Sequence, residues 1–464
     1  MPRSALDITN ALWLDAGLPA PALERLLLTG CEPALPSSFA VGTAAQASIA
    51  AAALAATEIG RQRNGLAQGA HVDLLNAAIE CTGHFEIDGR VPDLWDKLSG
   101  LYRCRDGWVR VHANFAHHRD GALRLLGLPP GPDTPRALAE AAALERSAFE
   151  LEEAAAQAGL VVAALRSFEQ WDAHPQGQAV ATLPLLVWEK IGEAPPRPLP
   201  PLPSAAPPLD GLRVIELTRI LAGPTCGRVL AAYGADVMLV NAPHLPNIEH
   251  IIDTSRGKRS CHLDLRIAEG RAGLHTLLKG ADAFIQGYRP GGLAALGFSP
   301  EAAAEIRPGL VYVSLSASGH VGPWAARRGL ASPAQTATGF NDAEMLAAGE
   351  AKPRPMPVQI LDYASGFLMA FAMQAARLRQ ATEGGSWHVR IGLAQTAQWL
   401  RSLGRVPEGL KAPKPDPSPR LETSPSGWGE LRALRHAAIL TRTPVGWRRP
   451  AMPPGTHVPF WTWD

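Results

Sequence analysis

The stretch Pro208–Arg228, PLDGLRVIELTRILAGPTCGR, decides how the 464-residue chain is read. Leu212 to Leu217 is a short run of strand formers with β-branched Val214 and Ile215 inside it. Thr218-Arg219 then turns the chain, and a helix opens past Gly223-Pro224. A strand that passes through a loop into a helix N-terminus is where α/β folds hold anions, because unpaired backbone N–H groups and the helix dipole converge there. The stretch has neither the GxGxxG nor the GxxxxGK[ST] glycine pattern, so it is not a dinucleotide or P-loop fingerprint.

Outward from this stretch the pattern alternates. Strands are predicted at 212–217, 236–240, 260–263, 282–286 and 310–315, with helices at 224–233, 269–279 and 292–296. Strands alternating with helices imply a parallel sheet covered on both faces. A long small-residue helix is predicted from Asp362 to Arg379, closed by Glu383-Gly384-Gly385.

Upstream, residues 194–208 (APPRPLPPLPSAAPP) hold eight prolines in fifteen positions and read as a stiff extended spacer. Residues 39–62 form another small-residue helix. The run LYRCRDGWVRVHA, Leu101 to Ala113, predicts a hairpin turning at Asp106-Gly107. A helix near 122–126, two helices within 136–159 and a loop and strand from Trp171 to Ala179 complete a small α+β module. The tail after Gly404 is rich in Pro, Arg and Trp. One helix is expected near Glu430 to Leu440, with the tail wrapping the surface.

Two stretches echo each other: RQRNGLAQGAHVDLLNAA at 61–78 and RLRQATEGGSWHVRIGLAQTA at 377–397. Each ends a helix with basic residues, breaks at glycine, and continues through His-Val into an apolar helix. Only the second copy opens with a carboxylate, Asp362; Thr43 to Ser48 in the first has none.

The formal net charge of +1 gives no electrostatic basis for binding nucleic acid or an anionic membrane. Five scattered cysteines without a CxxC pair point to reduced thiols and a cytoplasmic setting. Asp7 and Asp15 interrupt any signal-peptide pattern, and no apolar run reaches the ~20 residues of a membrane span. His117-His118, His174, His320 and His388 lack metal-ligand spacing and are read as structural, with no metal expected. Neither GxSxG nor HExxH is present. Asp362 suits a helix cap or a nucleophilic carboxylate. Arg256, Lys258 and Arg259 suit a solvated turn or a phosphate site. Gly287-Tyr288-Arg289 follows a strand at its carboxyl end, where open α/β sheets bind ligands.

Taken together, PLDGLRVIELTRILAGP, YGADVMLVN, RGKRSCHLDLR, GYRPGGLAALGF and RPGLVYVSLSASGHVGPW resemble the class III (CaiB/BaiF) coenzyme A transferase family over about residues 208–400. The resemblance implies a Rossmann-like parallel-sheet unit plus a small α+β domain, acyl-CoA and carboxylic acid substrates, and an interlocked homodimer. CoA enters as substrate, with no permanently bound cofactor. It implies that Asp362 is the catalytic carboxylate. It also implies that Leu221, Ala222, Leu263, Asp264, Leu265, Arg266, Gly287, Tyr288, Arg289, Arg328 and Gly329 contact CoA. A racemase branch of the family carries a Gly-His-Asp run where this chain has Gly329-Leu330-Ala331, so racemisation is disfavoured. Leu239 and Asn241 replace a usual Lys and Glu. These departures keep a CoA-binding homologue of weak activity as the alternative to a transferase.

The N-terminal half resembles the later portion of the same family. The expected organisation is a partial unit at 1–193 with the small domain at about 85–190, a linker at 194–208, a catalytic unit at 209–403 and a tail at 404–464. Residues 85–190 are expected to close over the CoA site of residues 209–403, either within one chain or across a dimer.

Overall fold

The computed structural model describes residues 3–462, so the first two and last two residues of the ranges 1–193 and 404–464 lie outside it. Its largest sheet has seven strands. In spatial order they are Arg259–His262, Asp236–Asn241, Arg213–Leu217, Ala283–Gln286, Val311–Ser316, Ser386–Gly392 and Val187–Gly192. The first six are parallel and the last is antiparallel. The parallel strands run 3-2-1-4-5-6 in chain order, the doubly wound arrangement of a Rossmann fold, and the fold is α/β. Near-continuous apolar strands such as Val311–Ser316, buried along their whole length, are what a sheet covered on both faces requires.

Two helices of equal length organise the rest of the core: Val41–Asn64 and Ile360–Glu383. Alanines across the first are fully buried against the second, where small side chains let the two backbones approach. Gln374 Nε2 bridges them by donating to the carbonyl of Ala52 at 3.1 Å. The echo in the sequence is matched in the backbone. The caps Ala40 (φ −76°, ψ 59°) and Gln359 (φ −79°, ψ 58°) share an unusual geometry. Both helices close on a glycine at φ 73°, Gly65 and Gly384. Each then feeds a parallel-paired strand, Ala70–Asp73 or Ser386–Gly392, and a helix, Leu74–Glu80 or Leu393–Ser402. Superposing the caps sets Thr43 opposite Asp362.

The small domain is an antiparallel sheet, Gly100–Arg103, Trp108–Val111 and Val162–Ala164, covered by helices Ala116–Leu125, Arg136–Leu144 and Ala148–Gln157. It has its own core around Tyr102, Val109, Leu123 and Leu151.

Two expectations fail. Trp171 to Ala179 is not a loop and strand. It lies in two short helices, Phe168–Ala173 and Pro175–Ala181, the second started by proline at its first position and capped by His174 Nδ1 on the Gln176 N–H. Glu430 to Leu440 is not a helix but the strands Gly429–Leu434 and Ala438–Leu440. Helix-forming residues mislead there, because Leu431 and Ala433 are buried while Glu430 and Arg432 are not, a period of two set by pairing with Phe85–Ile87. The proline-rich segment carries no helix or strand, yet it is no free spacer. Arg63 donates to the carbonyls of Pro200, Pro208 and Asp210, Arg377 to that of Arg197, and Gln380 to that of Pro195. It is strapped across the C-terminal ends of both long helices. Among the described residues no helix is long and apolar enough to cross a membrane.

Candidate active site

Four strands of the large sheet end at one cavity of about 380 Å³. Arg219 and Ile220 follow the strand Arg213–Leu217, and Asn241 and Ala242 close the strand Asp236–Asn241. Leu263 to Arg266 follow Arg259–His262, and Gly287 to Arg289 follow Ala283–Gln286. The strand order reverses between Arg213–Leu217 and Ala283–Gln286, so the cavity occupies the topological switch point, the ligand position of open α/β sheets. Arg328, Gly329 and Leu330 form another wall, and the small domain contributes Phe115, His117, His118 and Val161. These four side chains of the small domain thus share the cavity with the large sheet within one chain.

The loop after the first strand is held from below. Lys258 and Glu216, both fully buried, pair at 2.7 Å, and Lys258 Nζ also donates to the carbonyl of Pro224. Thr218 Oγ1 donates to the other oxygen of Glu216 at 2.6 Å. Helix Ala222–Ala232 sits directly on this pair, since a Cβ at Gly227 would lie 1.7 Å from Glu216 Oε2. The chain enters that helix through Ile220 at φ 78°, a left-handed conformation costly for a β-branched residue. The basic run SRGKRS is thus neither solvated nor at the cavity. Lys258 is spent on Glu216, Arg256 on Asp253 and Arg259 on Asp236.

The cavity is cationic. Arg219 stacks over the Phe115 ring at 4.8 Å. Arg289 and Arg328 have no ion-pair partner among the described residues. The carboxylate on the lining, Asp264, is forked by Arg266 at 2.7 Å, which holds its pKa down at about 2. Arg266 therefore brings little net charge. Among the described residues no group of three or more His, Cys, Asp or Glu side chains is placed to hold a metal ion.

Nine of the twelve residues singled out from sequence line this cavity: Leu263, Asp264, Leu265, Arg266, Gly287, Tyr288, Arg289, Arg328 and Gly329. Three do not. Leu221 and Ala222 are buried at the start of their helix, and the two preceding residues, Arg219 and Ile220, face the cavity instead. Asp362 lies in the first turn of helix Ile360–Glu383, 7 % exposed, outside the lining. No hydrogen bond or ion pair engages its carboxylate among the described residues, and burial pushes its pKa up to about 7. Sequence reading missed Phe115, His117, His118 and Val161, because only tertiary packing brings the small domain to the sheet. Arg219 had a signal, its place in the first strand–helix loop.

Residues 209–420 match the family model of CoA-transferase family III. The chain is 31 % identical over 241 residues to the probable fatty acyl-CoA transferase Rv3272 of Mycobacterium tuberculosis, covering 47 % of this chain and 60 % of the relative. It is 34 % identical over 260 residues to the succinate–glutarate CoA-transferase of Agrobacterium fabrum, covering 50 % and 64 %. The crystal structure of Rv3272 matches at 32 % identity with a TM-score of 0.40, over 43 % of this chain and 56 % of that one. The chain thus spans less than two thirds of the length of these relatives. Over residues 209–420, a little under half of its length, the chain is thus similar to CoA-transferase family III.

Proposed function

We propose that the chain binds acyl-CoA in this cavity and moves CoA between carboxylic acids. The observation that carries the reading is the cavity itself: a switch-point site with three arginines, Arg219, Arg289 and Arg328, in a CoA-transferase family III region. The guanidiniums of Arg289 and Arg328, without an ion-pair partner among the described residues, suit the phosphates of CoA as planar forks, with Arg219 held beside them by Phe115 and the Pro246 carbonyl. The apolar wall of Leu263, Leu293 and Leu296 suits the uncharged parts of the ligand.

In this reading Asp362 is the nucleophile. Its carboxylate attacks the thioester carbonyl and CoA leaves as the thiolate, giving a mixed anhydride. The thiolate returns to the aspartyl carbonyl, releasing the donor acid and leaving an aspartyl–CoA thioester. The acceptor carboxylate attacks that thioester, and the thiolate then takes the new acyl group, freeing Asp362. Two acyl transfers through one enzyme carboxylate replace a direct attack of one acid on another's thioester. The reading requires the acyl end of the ligand to reach past the lining to the first turn of the second long helix.

A second reading is acyl-CoA binding without covalent transfer. Two observations favour it: Asp362 lies outside the lining, and the wall Arg328-Gly329-Leu330 presents no carboxylate. Incubation with acyl-CoA and hydroxylamine separates the two. A hydroxamate on Asp362, lost in Asp362→Asn, is the expected result for transfer. CoA binding by calorimetry with no adduct leaves the second reading, and no CoA binding sinks both. The proposal extends to a cytoplasmic homodimer, in keeping with five free cysteines; light scattering tests the dimer.

A further inference from the structure

His118 stands apart from His174, His320 and His388. His174 caps a helix, His388 Nε2 meets Ser314 Oγ at 2.8 Å, and His320 Nε2 lies 3.3 Å from the carbonyl of Ile391. His118 has no such partner. It is 5 % exposed, it lines the cavity, and neither ring nitrogen makes a hydrogen bond among the described residues. Its surroundings are aromatic: Phe115 edge-on at 5.5 Å, His117 at 4.3 Å and His112 at 6.2 Å between ring centroids. Leaving two buried polar atoms unpaired is costly, and that cost is recovered when a bound group pairs with them.

The chemistry of that group follows from charge. Burial, aided by His117, Arg328 and Arg219, lowers the His118 pKa to about 4, so the ring is neutral near pH 7. A neutral imidazole offers one N–H donor and one lone-pair acceptor. The arginines of the same cavity suit the anionic end of the ligand. The imidazole suits an uncharged group with one acceptor and one donor, which is a secondary amide. A thioester and an ionised phosphate offer acceptors but no donor.

We propose that His118 hydrogen-bonds a secondary amide of the pantetheine arm of a bound CoA thioester, so that the small domain reads the arm while the arginines read the phosphates. This rests on the acyl-CoA reading above. Calorimetry on the full chain with two probes tests it: CoA, and adenosine bisphosphate, which has the phosphates but no amide arm. The expected result is that His118→Phe weakens CoA binding about tenfold and leaves adenosine bisphosphate unchanged, while His118→Gln keeps most of the CoA affinity. Unchanged binding of both probes, or equal weakening of both, overturns the inference. Failure of the wild-type chain to bind CoA instead overturns the acyl-CoA reading on which it stands. If His118→Phe does not fold, nitrogen NMR of the wild-type imidazole decides: the His118 resonances move with CoA and stay still with adenosine bisphosphate, and identical shifts with both probes overturn the inference.

Discussion

Among the described residues Asp362 is a buried carboxyl without a partner, and under the proposed transfer its ionisation controls two measurable quantities. Burial raises its pKa from 3.8 to about 7. Only the carboxylate attacks a thioester, so adduct formation at Asp362 is expected to rise with pH through about 7 and level off above it; a flat profile from pH 5 to pH 8 contradicts this. The same shift links to stability. The folded-state value lies above the unfolded one, so the contribution is full below 3.8 and is lost as pH rises to about 7, by up to about 4 kcal/mol. Denaturant titrations across that window should show the decline in the wild type and not in Asp362→Asn. Lys258 and Glu216 are the opposite case, a buried pair under the cavity loop. Lys258→Met strands Glu216 and is expected to cost about 3–5 kcal/mol in urea unfolding, much of it recovered by adding Glu216→Leu. A loss equal in the single and double variants would show that the pair is not the unit.

At the scale of elements, helix packing is limited by backbone approach. A Cβ at Gly366 in the second long helix would sit 2.5 Å from the carbonyl oxygen of Ala222 and 2.7 Å from Thr225 Cβ. Neither neighbour is the free end of a flexible chain, so Gly366→Ala forces the helices Ile360–Glu383 and Ala222–Ala232 apart. The expected cost is about 1–3 kcal/mol, read as a lower melting temperature. Because Ala222 starts the helix behind Ile220, the same variant is expected to weaken CoA binding; unchanged stability and affinity would refute the close crossing.

For the whole molecule, the two halves are interleaved rather than strung together. The N-terminal half supplies the edge strand Val187–Gly192 to the large sheet and the first long helix to the core. The tail returns strands to Phe85–Ile87 and Ala70–Asp73. A protease site inserted at Ser204-Ala205, in the exposed part of the proline-rich strap, should yield two fragments that co-elute in native buffer and separate only in denaturant. Fragments that part without denaturant would mean that the shared sheet and helix pair do not hold the halves together.

The alternation of strands and helices after Leu209, the two small-residue helices, the hairpin at Asp106-Gly107 and the loop carrying Tyr288 were legible from local pattern, because hydrophobic period and turn chemistry act within a few residues, whereas Asp264 and Arg328 were singled out only through the family resemblance. The parallel sheet and most of one wall of the cavity follow from them. What local pattern cannot contain is which distant segments meet. Glu430 to Leu440 became strands because Phe85–Ile87 and Ala70–Asp73 offered partners, and the proline-rich segment became a strap because Arg63 and Arg377 offered donors to its carbonyls. Only the tertiary structure set His118 on the cavity and Asp362 outside its lining. Both placements depend on how helices and domains pack across hundreds of residues, where burial and pairing outweigh the propensity of any single stretch.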